Sequence, residues 1–86
     1  LEAARSVYNL NLLFAARGSG EYLSNVHVQI ADTKGNVQLD TVAQGPYLYV
    51  NLKPGRYIIN AEIDGQVARK KVAVSGRKTS SLTFTW

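Results

Sequence analysis

The chain has no cysteine and only one histidine, His27. Without thiols there is no disulfide staple and no thiolate metal site, and a lack of cysteine is compatible with reducing and oxidising compartments alike. Long apolar runs are also missing. The longest unbroken one is Leu12 to Ala16, far short of the roughly 20 residues a membrane helix needs. No glycine cluster forms the G-x-x-x-x-G-K-[ST] phosphate loop. The single histidine stands in no His/Cys/acid spacing that would hold zinc. Cofactor and metal chemistry are therefore not expected, and neither is a transmembrane segment.

What is present reads as one small domain. At 86 residues the chain has room for one core and no separate catalytic unit, and it buries roughly 60% of its unfolded surface on folding. We divide it into residues 1–16, an N-terminal segment with the first strand, and residues 17–86, the remainder of the same domain. It opens at Leu1 rather than Met, and the expectation is a processed or trimmed product. The balance of 45% apolar and 19% charged residues is that of a folded globular chain. The net charge of +4 attracts anions only weakly. Its densest cluster is Arg69, Lys70 and Lys71 with Arg77 and Lys78. Those five read first as a solvated sheet face that discourages edge-to-edge association. The sharper reading is an anion patch, and nucleic acid is not an expected partner.

Strand signals recur at short, regular spacing. In Ser6 to Ala15, Tyr8, Leu10, Leu12 and Phe14 share one face while Asn9 and Asn11 share the other. Leu1 to Arg5 has good helix formers but is too short to hold a helix alone; it reads as a helical remnant. Val26, Val28 and Ile30 alternate with His27 and Gln29. Asp32 to Asn36 turns the chain into a third strand with Val37, Leu39, Thr41 and Ala43 on one side. Gln44-Gly45-Pro46 breaks it, and Tyr47 to Leu52 follows. Tyr57, Ile59, Ala61 and Ile63 share one face of a fifth strand. Asp64-Gly65 is a type I′ hairpin signal. The sixth strand, Gln66 to Val74, changes phase after Val67, which predicts a bulge near Arg69. Leu82, Phe84 and Trp86 form the inward phase of the seventh. Seven short strands with turn chemistry between them predict an all-β antiparallel sandwich.

The segment LKPGRY places Pro54 and Gly55 at the second and third positions of a turn. Proline presets the first backbone angle and glycine accepts a positive φ, which predicts a type II turn. Around it lies a wider pattern: alternating Val26, Val28 and Ile30; Asp32 and Gly35; Gly45; Tyr47 and Tyr49; Leu52; Pro54-Gly55; Tyr57; and Gly65. Over Gly20 to Trp86 this resembles the carboxypeptidase regulatory-like domains, in their small exported proteobacterial form. The chain departs from the pattern at Gln44-Gly45-Pro46, where many members carry Asp-Gly. The resemblance implies a transthyretin-like (prealbumin-like) sandwich with immunoglobulin-like Greek-key connections. It implies a periplasmic or secreted protein made with a signal peptide. It also favours Tyr47 and Tyr49 facing the core with Leu52 capping them, a choice that periodicity leaves open against Leu48 and Val50.

No residue set suggests catalysis. Hydrolysis needs convergent carboxylates or a nucleophile beside a base. Asp32 and Asp64 belong to turns, whereas Asp40, Glu62 and His27 point outward. Transthyretin-like enzymes of purine breakdown use several His and Arg residues and a C-terminal motif; this chain ends Thr83-Phe84-Thr85-Trp86. The reading is a non-enzymatic accessory or protein-interaction module, more readily monomeric than oligomeric. The alternative is a module for carbohydrate or another small ligand, with Tyr8 and Tyr22 as the exposed contacts and Trp86 in the core.

Overall fold

The structure, a computed structural model, describes residues 8–86. The helical remnant expected over residues 1–5, and the start of the first strand at residues 6 and 7, lie outside the described residues. Seven strands follow in order: β1 Leu10–Ala15, β2 Val26–Asp32, β3 Val37–Ala43, β4 Tyr47–Val50, β5 Gly55–Ile63, β6 Gln66–Val74 and β7 Ser80–Thr85. They form two sheets, one ordered β4-β1-β7 and the other β3-β2-β5-β6. The fold is thus the all-β sandwich that the strand spacing predicts. Its pairings are antiparallel except between β1 and β7, which run parallel. Parallel neighbours need a long crossover, and here the intervening chain from β2 to β6 supplies it.

The core lies between the sheets and follows from period-2 alternation. Leu10, Leu12, Phe14, Val50 and Phe84 come from one sheet; Val26, Val28, Ile30, Ala43, Tyr57, Ile59, Ala61 and Val74 come from the other. Phe14 and Phe84 meet with ring centroids 6.0 Å apart, and Trp86 packs on both at 6.2 and 6.4 Å. Trp86 is half-buried rather than sealed, and its indole N–H donates to the Gln66 carbonyl at 3.0 Å. That bond ties the end of β7 to the start of β6 across the open margin of the sandwich.

Two turns form as their residues dictate. Asp64 and Gly65 both take positive φ, 50° and 78°, the type I′ geometry joining β5 to β6. In the β2–β3 connection the Asp32 carboxylate accepts from the Lys34 and Asn36 amides, both at 2.9 Å, and from Asn36 Nδ2 at 3.0 Å.

Four expectations are corrected. Gly55 does not take a positive φ, so LKPGRY is not a type II turn; Gly55 opens β5 opposite Val74. The physical reason is topological. β4 and β5 belong to different sheets, so the segment crosses over instead of reversing. It is closed by Tyr57, a buried residue whose hydroxyl donates to the Lys53 carbonyl at 2.6 Å in a part-buried bond. Second, Tyr47 and Tyr49 face outward. β4 pairs Leu48 with Leu12 and Val50 with Leu10, and opposed residues share a face. The core face of β1 therefore pulls Leu48 and Val50 inward. Burying two phenols would also demand two hydrogen-bond partners. Leu52 caps no tyrosine and packs against the core instead.

Third, β6 has no bulge. Its register against β5 is continuous from Gly55↔Val74 to Ile63↔Gln66. Lys70 simply occupies an inward position at the sheet edge, with Nζ 5.9 Å from the Phe84 ring centroid, a cation–π contact that lets the ammonium reach solvent. Fourth, a bulge does occur between Ile30 and Ala31, where β2 and β3 shift register. It takes Val37 out of phase with Leu39, Thr41 and Ala43 and leaves it 53% exposed.

Candidate functional site

The outward turn of β4 sets up an unusual sheet face. On the outer side of β4-β1-β7, Tyr49 stands opposite Asn11 and Tyr47 opposite Leu13; across β1, Asn11 and Leu13 oppose Ser81 and Thr83. The chain before β1 brings Tyr8 beside Tyr49, with ring centroids 5.9 Å apart and planes 26° from parallel. The bridge between Ala15 and Tyr22 sets Tyr22 edge-on to Tyr47 at 5.7 Å. Tyr47 and Tyr49 are 6.3 Å apart. The four rings make one continuous row, Tyr8–Tyr49–Tyr47–Tyr22, along the edge strand. Tyr22 is 62% and Tyr47 48% exposed. Contiguous exposed apolar surface on a small domain marks an interaction site more often than isolated side chains do.

Beside the row is a shallow open hollow of about 260 Å³, lined by Asn11, Leu13, Tyr47, Tyr49, Ser81 and Thr83 among others. Its floor is polar. Asn11 is only 7% exposed, and its Oδ1 is buried with no hydrogen-bond partner among the described residues. An unpaired buried carbonyl costs roughly 1–3 kcal/mol. Rotation of the amide by half a turn exchanges Oδ1 with Nδ2, so the floor can offer an acceptor or a donor.

The site rests on a well-fixed β1. The Asn9 side chain substitutes for main chain: Nδ2 donates to the Leu52 carbonyl at 2.6 Å, and Oδ1 accepts from the Leu52 amide at 3.0 Å. Asn51 Oδ1 accepts from the Asn9 amide at 3.2 Å. On the other flank the Thr79 hydroxyl donates to the Tyr8 carbonyl at 2.6 Å. Together these bonds extend β1's attachment on both sides to the residue that begins the aromatic row.

The opposite outer face, on β3-β2-β5-β6, is polar. His27 Nε2 lies 2.6 Å from Asp40 Oδ1, and Gln29 Nε2 donates to Asp40 Oδ2 at 3.1 Å. Arg69 Nε donates to Asn60 Oδ1 at 2.7 Å. The hydrogen bond from His27 holds the Asp40 carboxyl below its ordinary range, with Gln29 adding to it. Both partners are about half exposed, 47% and 48%, so water screens the pair. Among the described residues, the hydrogen bonds of the pair run to Gln29 and to no hydroxyl.

The basic residues separate. Arg69 and Lys71 share the outer face of β6, Lys70 points to the other side, and Arg77 and Lys78 lie in the loop before β7. Among the described residues no group of His, Cys, Asp and Glu is placed to hold a metal ion, and no helix is long and apolar enough to cross a membrane. Of the residues expected at a ligand surface, Tyr8 and Tyr22 sit at the two ends of the row. Tyr47 and Tyr49, expected inside, form its middle. Asn11, Leu13, Ser81 and Thr83 were not expected at the site, although Asn11 between Leu10 and Leu12 is visible in the sequence as a polar residue on β1's outer face. Of the pattern glycines, Gly65 has the positive φ its turn needs, and Gly45 precedes β4, where no neighbour lies within 4 Å of an added Cβ. No family model matches the chain, and no curated protein matches it.

Proposed function

We propose that the protein is a non-enzymatic binding module of the carboxypeptidase regulatory-like type, periplasmic or secreted and acting as a monomer, whose partner docks on the tyrosine-bearing outer face of β4-β1-β7. One observation carries this reading: the four-ring row, with Tyr22 and Tyr47 well exposed. Tyrosine combines a large apolar ring with a polar tip and few rotatable bonds, which suits it to surfaces that bind. The transthyretin-like sandwich and the accessory role come from the Gly20–Trp86 resemblance, and an all-β sandwich of one three-stranded and one four-stranded sheet is compatible with that fold.

The test is capture from an envelope extract on immobilised protein, analysed for both protein and sugar. The wild type should retain material that Tyr22→Ser/Tyr47→Ser releases, while Arg69→Ser/Lys71→Ser on the opposite sheet retains it. The reverse pattern, or equal capture by all three, would move the binding face elsewhere.

A further inference from the structure

The geometry points to a specific occupant for this face: an extended, uncharged glycan chain, its sugar rings packing along Tyr8–Tyr49–Tyr47–Tyr22 and its hydroxyls meeting Asn11, Ser81 and Thr83. The inference rests on the reading that this face is the binding surface.

Three features select that chemistry. The first is the row itself. Successive centroids are separated by 5.9, 6.3 and 5.7 Å, close to the length of one sugar unit in an extended chain. Pyranose rings carry C–H-rich faces that pack on aromatic surface, and the row keeps ring surface open to them: Tyr22 and Tyr47 are well exposed, Tyr8 and Tyr49 half-buried. A row that continues past both ends of the hollow suits a chain better than a compact molecule.

The second is charge. The described cations of this basic chain do not line the hollow; its walls are Asn11, Leu13, tyrosines, Ser81 and Thr83 with neighbouring β1 and β7 residues, all uncharged. In the hollow itself an anionic polymer would find no counter-charge, and association there would lack the salt-dependent attraction that phosphate or carboxylate ligands rely on.

The third is the floor. Asn11 is a nine-tenths-buried amide whose carbonyl lacks a partner among the described residues, beside the Ser81 position in the register. A hydroxyl-rich ligand offers donors and acceptors in close succession, whichever way the amide is turned. The row's exposed aromatic surface is on the order of 300 Å², taking roughly 200 Å² per tyrosine, whereas a stable protein interface buries about 800 Å² per partner, so a protein would have to recruit polar surface well beyond the row.

The experiment is a ¹⁵N chemical-shift titration of the full chain with neutral, extended oligosaccharides, β-1,4-glucan, β-1,4-xylan and chitin series from disaccharide to hexasaccharide, alongside an oligogalacturonate. At least one neutral series should move the resonances of Leu10–Ala15 and Tyr47–Val50. Affinity should rise with chain length and change little with salt, and the oligogalacturonate should not bind. Tyr47→Ala and Tyr49→Ala should each weaken binding about tenfold, a loss of one ring contact. Asn11→Leu, which removes the unpaired amide, should weaken binding while leaving the melting temperature unchanged or higher. A merely structural Asn11 would lower the melting temperature instead. The inference fails if no neutral oligosaccharide moves these residues, or if the tyrosine variants bind as the wild type does. If glycans fail but extract capture still depends on Tyr22 and Tyr47, the face is a protein-binding one and only the glycan assignment falls. If that dependence is missing too, both readings fall.

Discussion

Replacing Asn9 by alanine removes the side chain that acts as a piece of main chain between β1 and the β4–β5 crossover. Two hydrogen bonds disappear, Asn9 Nδ2 to the Leu52 carbonyl and the Leu52 amide to Asn9 Oδ1, at 2.6 and 3.0 Å. Each is part-buried and links positions 43 residues apart. A net contribution near 1 kcal/mol per bond gives about 2 kcal/mol as an upper figure. Because the groups are only part-buried, water recovers some of it, and about 1–2 kcal/mol is expected. For a domain of this size that is a fall of roughly 5–12 °C in Tm. Thermal and urea unfolding followed by circular dichroism would measure it, with the urea midpoint shifting at constant slope. Hydrogen exchange at the Leu52 amide should accelerate. Asn9→Asp is the informative control: it keeps the acceptor for the Leu52 amide but sets a carboxylate against the Leu52 carbonyl. Its deficit should shrink on acidification, when the protonated acid regains a donor. An alanine variant that melts with the wild type, with Leu52 exchange unchanged, would refute this account of how β1 is anchored.

Other perturbations separate architecture from turn chemistry. Tyr57→Phe removes the hydroxyl that closes the crossover onto Lys53 and should lower stability by about 1 kcal/mol in urea unfolding. Gly55→Ala should stay within about 0.5 kcal/mol of the wild type, since the nearest atoms to an added Cβ are 3.8 Å away and φ is not positive there; Gly65→Ala, at φ +78°, should lose about 1 kcal/mol or more. Asn36 holds the Asp32 carboxyl below its ordinary range, chiefly through its side chain, with the main-chain amides of Asn36 and Lys34 also contributing. A depressed carboxyl pKa adds stability that is present above the unfolded value and lost as pH falls through the folded one. Asp32→Ala should therefore be less stable at neutral pH and show a flatter acid limb in melting temperature measured between neutral and strongly acid pH.

Much of the architecture is legible in the residues because it depends on local alternation. Leu10, Leu12 and Phe14, or Val26, Val28 and Ile30, announce their buried face with period 2, and Asp64-Gly65 announces its turn through positive φ. What is not legible depends on which strands become neighbours. Tyr47-Leu48-Tyr49-Val50 is apolar on both faces, so its orientation is set only by pairing with β1, 34 or more residues away in sequence. The LKPGRY segment has the composition of a turn, but it joins two sheets, and that connection exists only once β4 has paired with β1 and β5 with β2. Lys70 gives a false phase break because an edge strand lets an inward lysine reach solvent past Phe84. The aromatic row was illegible for the same non-local reason. Its members come from the approach to β1, from β4 and from the loop before β2, and none of them is within a short window of all the others.

The account depends most on Tyr47 and Tyr49 lying outside the core, and nitration by tetranitromethane with peptide mapping tests that directly. Tyr22 and Tyr47 should be modified fastest, Tyr8 and Tyr49 more slowly, and the buried Tyr57 should be protected in the folded protein. Protection of Tyr47 and Tyr49 to the same degree as Tyr57 would put both rings in the core and contradict the binding face.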